Sequence, residues 1–356
     1  MSILFQSRAN LHKANFVRNY VTAMTSTKPL VLFFSPVRHA VPAYEKLQEV
    51  AHTEVVTSRS RDEFFNDIAT KYQNPFAIYR TSASGSVAGK FDADFINRLP
   101  ASCRFICHNG AGYDPIDTDA CAKRGIVVTN APDPVTDATA DLAMFLLLGA
   151  LRQLNPAISA LRAGKFKAGV DFGHDPQQKT LGILGMGRIG RALKTRCDPF
   201  GIKTIYHNRN PVSSEAAAGA TYVSFEQLLA TSDIISVNVP LTPQTKHLIG
   251  AKEIAMMKPG VVIVNTARGA IIDEAALADA LESGHVASAG LDVYEEEPKI
   301  NEKLLKQERA LLVPHVGTHT TETLAKMESW AMENVRCAIA GEALLSPVPE
   351  HQHLVQ

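Results

Sequence analysis

The stretch from Thr180 to Arg191, TLGILGMGRIGR, decides the fold of this 356-residue chain. An apolar strand pattern, Thr180–Leu184, leads into three glycines spaced as G-x-G-x-x-G, and a helical pattern follows from Arg191 to Phe200. A second strand pattern ends near position 208. A glycine-rich turn inside one strand–helix–strand unit is the context that a dinucleotide-binding turn requires. The stretch therefore predicts a parallel α/β sheet with a Rossmann-type turn.

The three glycines of this turn have different tasks. Gly185 permits the tight turn, Gly187 lets the backbone approach a pyrophosphate, and Gly190 lets the helix pack closely on the strand. The phosphates would lie at the helix N-terminus, where free N–H groups favour anions. The alternative is a merely structural turn. The residues predicted to bind the cofactor here are Gly185, Met186, Gly187, Arg188, Ile189 and Gly190.

The end of the second strand indicates which dinucleotide binds. NAD enzymes place Asp or Glu there to hold the ribose 2′-hydroxyl, whereas NADP enzymes need positive charge for the 2′-phosphate. Asn208 stands where the acid is expected, and Arg209, which can pair with phosphate, follows it. We expect NADP as the preferred cofactor and NAD as the alternative, since a solvated loop that tolerates both would have the same sequence.

Strand and helix patterns alternate on both sides of the opening stretch. One series, from Leu30 to about Asn130, predicts one parallel sheet, and the series from Thr180 to Val313 predicts another. Between them, Asp133-Pro134 is typical of a helix start, and a helix that is apolar on nearly every side is expected from there to about Leu154. Such a helix must be buried, between domains or in a subunit interface.

Composition excludes several classes of protein. Lys plus Arg and Asp plus Glu number 36 each, so the net charge does not favour nucleic acid or an acidic membrane as partner. The longest apolar stretch, 142–151, is about half of what a bilayer crossing needs. The five cysteines have no CxxC spacing, so we expect buried free thiols rather than disulfides or a metal site.

Residues 1–28 differ from the rest of the chain. They contain Arg8, Lys13, Arg18 and Lys28 but no acidic residue, and the first acidic residue of the chain is Glu45. This profile is typical of a mitochondrial transit peptide. A disordered extension, or translation from Met24, would explain it equally well. We therefore expect a cytoplasmic or a mitochondrial protein and leave this segment out of the fold.

Charged residues follow three strands of the second sheet. Arg268 follows Val261–Thr266, Asp292 and Glu297 follow the next strand, and His315 follows the last one. Each has an ordinary alternative, such as a surface ion pair or a core histidine. Ligands of open α/β sheets, however, bind at the carboxyl ends of the strands, where all of these residues lie.

These side chains suit the reduction of a 2-keto acid. That reaction needs a cation for the carboxylate, a proton for the forming alkoxide and a hydride. Arg268 can supply a planar bidentate donor, and His315 can transfer a proton near neutral pH. A neighbouring carboxylate such as Glu297 would raise the pKa of the imidazole.

Several motifs resemble one family. NTARGAIID from Asn265, GLDVYEEEP from Gly290, PHVG from Pro314 and the glycine turn are similar to the signatures of D-isomer-specific 2-hydroxyacid dehydrogenases over about residues 30–345. The resemblance implies that Arg268 binds substrate, that His315 is the general acid/base with Glu297 as its partner, and that Asp292 contacts the nicotinamide. The loop after His108 resembles the family's substrate loop. Its predicted substrate-binding residues are Asn109, Gly110, Ala111 and Gly112, joined by Arg268.

The resemblance also implies an arrangement of domains. Residues 29–130 and 316–350 would form a flavodoxin-like substrate-binding domain, and 131–315 the Rossmann dinucleotide-binding domain. Within the family, GTHT from Gly317 and the Asn208-Arg209 pair look most like fungal glyoxylate reductases and related hydroxypyruvate or branched-chain keto-acid reductases. That implies reduction of a small 2-keto acid to a D-2-hydroxy acid, although GTHT departs from the family's usual small-residue run, which leaves the size of the substrate open.

Other functions are compatible with parts of this pattern. A dinucleotide-sensing corepressor of the same fold keeps similar residues, a methyltransferase also uses glycine-rich turns, and a reductase for larger aliphatic or aromatic keto acids would share the same chemistry. A methyltransferase would not need Arg268, Glu297 and His315 together. We expect the enzyme, as a homodimer that uses the apolar helix, with no metal and with neither nucleic acid nor membrane as partner.

Overall fold

The structure, a computed structural model, describes residues 28–355 in two compact units. The first unit comprises the chain up to Pro134 together with the segment from Thr321, and the second comprises Val135–Thr320. The expected domain borders were at 131 and 316. Both observed borders lie slightly later because each coincides with the start of a long helix. The predicted transit peptide falls on residues outside the described range, except for Lys28.

The first unit is built on a five-stranded parallel sheet. Its strand order is β2-β1-β3-β4-β5, the flavodoxin-like order. The strands are β1 (Leu30–Phe33), β2 (His52–Val55), β3 (Ala77–Arg80), β4 (Phe105–His108) and β5 (Val127–Thr129). The three central strands are nearly continuous runs of buried residues, as expected of a parallel sheet covered on both faces.

Helices connect these strands, and a last helix closes the unit. They are α1 (Val41–Gln48), α2 (Arg61–Thr70), α3 (Ser84–Ala88), α4 (Ala93–Arg98), α5 (Thr118–Lys123) and α14 (Thr321–Ala340). Ser60, Asp92 and Asp117 cap α2, α4 and α5, because each side-chain oxygen accepts a backbone N–H of the first turn.

The chain end is tied to this sheet by one buried histidine. His351 lies in the final 3₁₀ turn, Pro349–Leu354, and is 0% exposed. Its Nδ1 accepts the N–H of Val128 at 2.9 Å, and its Nε2 donates to the carbonyl of Thr118 at 2.8 Å. Both contacts require the neutral ring with its proton on Nε2, so the imidazole bridges two backbone groups inside the core.

The second unit is a seven-stranded parallel sheet. The order β12-β11-β10-β9-β6-β7-β8 is that of a Rossmann fold with one added strand. The strands are β6 (Thr180–Leu184), β7 (Lys203–His207), β8 (Thr221–Tyr222), β9 (Ile234–Val237), β10 (Val261–Asn265), β11 (Val286–Leu291) and β12 (Ala310–Leu312). Its helices are α6 (Thr136–Leu151), α7 (Leu154–Arg162), α8 (Arg188–Cys197), α9 (Ser214–Ala217), α10 (Phe225–Thr231), α11 (Ala251–Ala255), α12 (Glu274–Ser283) and α13 (Glu302–Leu305). The alternation predicted from sequence is confirmed for both sheets.

The apolar helix differs from its prediction at both ends. Val135 precedes the first helical residue, so Asp133-Pro134 belongs to the turn before α6 rather than to its first positions. The helix ends at Leu151 because Gln153 adopts a left-handed conformation with φ 52°, and α7 then turns away. No single helix in the described range is long and apolar enough to cross a membrane. The α6–α7 pair passes that test only jointly, with a 70° bend.

All five cysteines are buried and none forms a disulfide, as expected. Burial raises the pKa of the Cys103 and Cys107 thiols to about 12, so these two stay protonated near neutral pH. Within residues 28–355, no three His, Cys, Asp or Glu side chains are grouped as metal ligands.

Candidate active site

The glycine turn lies between β6 and α8, and its glycines are required by close contacts. Gly185 has φ 101°, and a Cβ there would lie 2.7 Å from the backbone of Asn238. A Cβ at Gly190 would lie 2.5 Å from the carbonyl oxygen of Gly185. A Cβ at Gly187, in contrast, would meet nothing within 4 Å. Two glycines therefore serve the packing, whereas Gly187 borders open space.

The turn is suited to hold the pyrophosphate of a dinucleotide. Gly187 precedes α8, and within the described residues no hydrogen bond occupies its N–H or that of Ile189. A phosphate group can bind where unused N–H groups at the start of a helix face open space, and glycine at 187 leaves that space free of a side chain. Met186 is buried and Arg188 is exposed in the same turn. The donor set of this turn therefore fits NAD or NADP.

Asn208, directly after β7, is bound to the glycine turn. Its Oδ1 accepts the backbone N–H of Met186 at 2.7 Å, and its own carbonyl accepts the hydroxyl of Tyr222 at 3.1 Å. The amide thus orders the turn in addition to replacing the acid expected in an NAD enzyme. The next residue, Arg209, is exposed.

Arg268 is presented by a tight turn after β10. The buried side chain of Asn265 accepts the N–H of Ala267 at 3.0 Å and donates to the carbonyl of Arg268 at 2.9 Å. This role of Asn265 was not predicted, although an Asn at the end of a buried strand is a signal for such a turn. The guanidinium also donates to the carbonyl of Ala267 at 2.7 Å.

His315 and Glu297 form a hydrogen-bonded pair. The Nδ1 of His315 lies 2.7 Å from Oε2 of Glu297, while Oε1 of Glu297 accepts the N–H of Tyr294 at 2.9 Å. Of three consecutive glutamates, it is therefore Glu297 that reaches the imidazole. The side chain of His315 is 47% exposed, which excludes the alternative of a core histidine. Because Nδ1 is bound to the carboxylate, Nε2 is the nitrogen left for proton transfer.

The pair changes the proton affinity of both members. The hydrogen bond to Glu297 raises the pKa of His315, and burial only partly opposes it. Burial alone would raise the pKa of Glu297, but hydrogen bonds from His315 and from the N–H of Tyr294 outweigh it, so that the pKa is lowered. Arg268 is near enough to affect both groups. Both shifts therefore favour the charged forms, the imidazolium and the carboxylate.

Asp292 holds the chain on which His315 lies. It is 1% exposed, and its two oxygens accept the N–H groups of Val316 at 2.6 Å and Gly317 at 2.9 Å. Its backbone carbonyl accepts the N–H of His315, which has a left-handed φ of 53°. Burial raises the pKa of Asp292 even though the two N–H groups oppose the change. The structure thus gives Asp292 a positioning role that the sequence did not predict, and the cofactor contact expected for Asp292 stays a prediction.

The predicted substrate loop lies in the first unit, after β4. The Nδ1 of His108 accepts a hydrogen bond from Nη1 of Arg80 at 3.1 Å. Its Nε2 donates to the carbonyl of Gly112 at 3.0 Å and thereby closes the loop. The N–H of Asn109 is bound to the carbonyl of Arg80. The N–H groups of Gly110, Ala111 and Gly112 have no hydrogen-bond partner among the described residues. Neither Arg80 nor the closing role of His108 was predicted.

The second unit therefore brings together a glycine turn with unused N–H groups, an arginine and a histidine–carboxylate pair at the carboxyl ends of its strands. This combination defines the class as an NAD(P)-dependent oxidoreductase. Residues 144–317 match the model of the D-isomer specific 2-hydroxyacid dehydrogenase NAD binding domain.

Three similar proteins agree with this class. The chain is 46% identical to 4-methyl-2-oxopentanoate reductase A of Aspergillus oryzae, over 92% of this chain and 99% of that protein. It is also 46% identical to glyoxylate reductase 1 of Saccharomyces cerevisiae, over 92% and 97%. The crystal structure of a glyoxylate reductase from Paecilomyes thermophila superposes with a TM-score of 0.88 at 49% identity, over 91% and 99%. The chain belongs to the D-isomer-specific 2-hydroxyacid dehydrogenase family and is an NAD(P)-dependent enzyme.

Proposed function

We propose that this enzyme reduces a small 2-keto acid, glyoxylate or hydroxypyruvate, to the corresponding D-2-hydroxy acid with NADPH. The observation that carries the proposal is the 2.7 Å contact between Nδ1 of His315 and Oε2 of Glu297, which raises the pKa of the imidazole above its ordinary value and so favours the protonated form that can act as an acid. The dinucleotide-sensing alternative is not favoured, because the similar proteins are named as reductases.

The site residues divide the reaction between them. The nicotinamide, held by the second unit, would supply the hydride for the carbonyl carbon. Arg268 binds the carboxylate and polarises the carbonyl oxygen, and Nε2 of His315 gives its proton to that oxygen as the alkoxide forms. Glu297 keeps the imidazole oriented and stabilises its charged form. In the loop Asn109–Gly112, the last three residues offer their backbone N–H groups to the substrate carboxylate, since the N–H of Asn109 is bound to Arg80.

Cofactor binding is assigned to the glycine turn and its neighbours. The turn from Gly185 to Gly190 would hold the pyrophosphate, Asn208 and Arg209 the 2′-phosphate of NADP, and Asp292 the nicotinamide. The lack of an acid at 208 supports NADPH as the preferred reductant, with NADH as the weaker one. By this proposal, Val135–Thr320 is the dinucleotide-binding domain and the other unit binds substrate.

The identity of the keto acid is the point that experiment must decide. A relative that acts on 4-methyl-2-oxopentanoate is as similar as one named for glyoxylate, so a larger aliphatic substrate is the second candidate. We would compare kcat/KM for glyoxylate, hydroxypyruvate, 4-methyl-2-oxopentanoate and phenylpyruvate with NADPH and with NADH. A preference for either of the last two acids would refute the small-substrate proposal but leave the chemistry intact.

The role of His315 has its own test. Replacing His315 with Ala should abolish turnover and leave the Kd of NADPH nearly unchanged, whereas the same change at the exposed His353 should affect neither. Turnover that survives in H315A would refute the acid/base assignment. If the unmodified protein bound NADPH tightly but turned over none of the keto acids, the dinucleotide-sensing function would be supported instead.

We also propose a homodimer. Three phenylalanines on or just after the apolar helices are strongly exposed, namely Phe145 (51%), Phe166 (72%) and Phe172 (99%). Apolar surface of this kind is typical of a protein interface. A monomeric mass by light scattering would refute the proposal. The balanced charge argues against nucleic acid or a membrane as a further partner.

For the cellular compartment, the composition of residues 1–28 supports mitochondrial import as strongly as a cytoplasmic location. A fluorescent protein fused behind residues 1–28 separates the two. Mitochondrial accumulation supports import, and diffuse fluorescence supports the cytoplasmic alternative.

A further inference from the structure

Glu297 lies on a segment with no regular secondary structure. This segment, Val293–Ile300, connects β11 to α13 and is called the dyad loop here. Its Glu297 must keep one carboxylate oxygen 2.7 Å from the imidazole of His315. Irregular loops are normally more mobile than the elements they connect, so a contact of this precision needs support from outside the loop.

One buried carboxylate contacts the loop from both sides of Glu297. Glu274, the first residue of α12, is 8% exposed. Its Oε1 accepts the backbone N–H of Glu295, and its Oε2 accepts the backbone N–H of Asn301 at 3.2 Å. The residues that it holds lie two positions before and four positions after Glu297. The carboxylate therefore fixes both ends of the short segment that carries the partner of His315.

Two weaker contacts hold the start of the same loop. Gly269 packs so closely that a Cβ there would lie 1.9 Å from the carbonyl carbon of Tyr294. The side chain of Glu295 pairs with Nε2 of His247 at 2.5 Å, but both side chains are partly exposed, so this pair contributes less than buried contacts do. Because Gly269 follows Arg268 directly, the position of the dyad loop is also tied to the turn that presents the arginine.

We propose that Glu274 is a positioning residue for the reaction: its carboxylate fixes the dyad loop and thereby sets the contact between Glu297 and His315. The inference rests on the proposed roles of Glu297 and His315. Glu274 acts only through the loop, since its two oxygens are occupied by the N–H groups of Glu295 and Asn301.

The arrangement requires a carboxylate in particular. A carboxylate has two acceptor oxygens, one for each N–H, whereas an amide of the same shape has one acceptor and one NH₂ group. Replacing Glu274 with Gln would turn an NH₂ group toward one backbone N–H, and the loop would lose one of its two attachments. Hydrogen bonds to charged groups are the stronger ones, so the loss should be felt at Glu297.

The experiment compares E274Q with E282Q, the same change at an exposed position of α12. We expect E274Q to lower kcat/KM for reduction about tenfold at alkaline pH and much less at acid pH. The groups whose charges act on His315 are Glu297, Arg268 and Asp292, and only the contact with Glu297 should change. The Kd of NADPH should stay as in the unmodified enzyme, and E282Q should behave like it in every respect.

A double-mutant cycle tests whether Glu274 acts through Glu297. In an E297Q background, E274Q should have almost no additional effect, because the contact that it supports is already lost. An equal effect in both backgrounds, or an E274Q enzyme with an unchanged pH profile, would overturn the inference. If E297Q and H315A themselves leave turnover intact, the proposed function has failed instead.

If E274Q fails to fold, a second variant and a second measurement still test the inference. E274D keeps the charge but is one methylene shorter, so it cannot reach both N–H groups and should move the pH profile in the same direction. The ¹⁵N signals of the His315 ring, assigned with H315A, report its titration without turnover. A midpoint in E274D that equals that of the unmodified protein would also overturn the inference.

Discussion

The glycine turn allows a sharp comparison between two substitutions of the same kind. Gly187→Ala and Gly190→Ala each add one Cβ, three positions apart. At Gly187 the backbone is extended with φ −78°, which any residue adopts, and the Cβ would meet no protein atom within 4 Å. At Gly190 the Cβ would lie 2.5 Å from the carbonyl oxygen of Gly185 and 3.0 Å from Cγ2 of Ile183.

These distances set opposite expectations for stability and for binding. G187A should change the free energy of unfolding of the apoprotein by less than about 1 kcal/mol, because alanine restricts the unfolded chain and disturbs nothing in the folded one. G190A should cost about 1–3 kcal/mol, the range for an overpacked core, since a backbone oxygen cannot move aside easily. The methyl group of G187A instead occupies the space proposed for the pyrophosphate, so the Kd of NADPH should rise at least about tenfold, equivalent to about 1.4 kcal/mol.

Urea unfolding of the apoproteins and NADPH titration by fluorescence measure the two quantities separately. The expected result is a crossed pattern: G187A is stable and binds poorly, whereas G190A is unstable. A G187A protein that binds NADPH with unchanged affinity would refute the assignment of this turn to the cofactor. A G190A protein as stable as the unmodified one would show that α8 and β6 are packed less closely than the structure indicates.

Two further predictions concern single histidine contacts. Reduction needs the protonated imidazole, so it is present below the pKa of His315 and lost as the pH rises through that pKa. Glu297→Gln removes the strongest cause of the raised pKa, so the variant should lose its activity at a lower pH than the unmodified enzyme does. The two side chains are 47% and 34% exposed, so we take the lower end of the range for charge-assisted hydrogen bonds, about 1.5 kcal/mol. At pH values above the pKa of His315, kcat/KM of E297Q should therefore fall about tenfold, whereas E296Q should match the unmodified enzyme. An equal loss at all pH values would contradict the reasoning. His351→Ala should lower the free energy of unfolding by about 2–4 kcal/mol in urea, because two buried backbone groups lose their partner, whereas H353A, at an exposed site, should match the unmodified protein; equal stability of both would refute the bridging role.

The sheets were predictable because their signals are local. Most strands are short apolar runs followed by a turn or helix pattern, so the alternation alone defined two parallel sheets. The break after α6 was not predictable, since Gln153 carries no preference for the left-handed conformation that ends the helix. The end of α6 is set by tertiary packing rather than by sequence.

From the residues alone, the candidate site was predictable only as a set of strand ends, and the choice of Glu297 as the partner of His315 came from the resemblance to the family. The positions of Arg268, Asp292, Glu297 and His315 followed from topology, because the carboxyl ends of parallel strands share one edge of the sheet. Which of three glutamates reaches His315 depends on the conformation of the dyad loop, and that conformation depends on Glu274, a residue from another element. Contacts of this kind join distant positions of the chain and leave no local pattern.

Asn208 was predictable in part from sequence and has a further role that only the structure shows. From sequence it is only the absence of an acid, and the inference toward NADPH uses that absence together with Arg209. In the structure its Oδ1 also accepts the N–H of Met186 at 2.7 Å, so the amide orders the turn that is proposed to hold the pyrophosphate. An aspartate could keep this contact, because its carboxylate oxygen can occupy the same place, whereas an alanine could not. Cofactor preference and order in the glycine turn are therefore separable at this position: N208D adds a charge at the proposed ribose position and keeps the contact with Met186, whereas N208A adds no charge and removes the support of the turn.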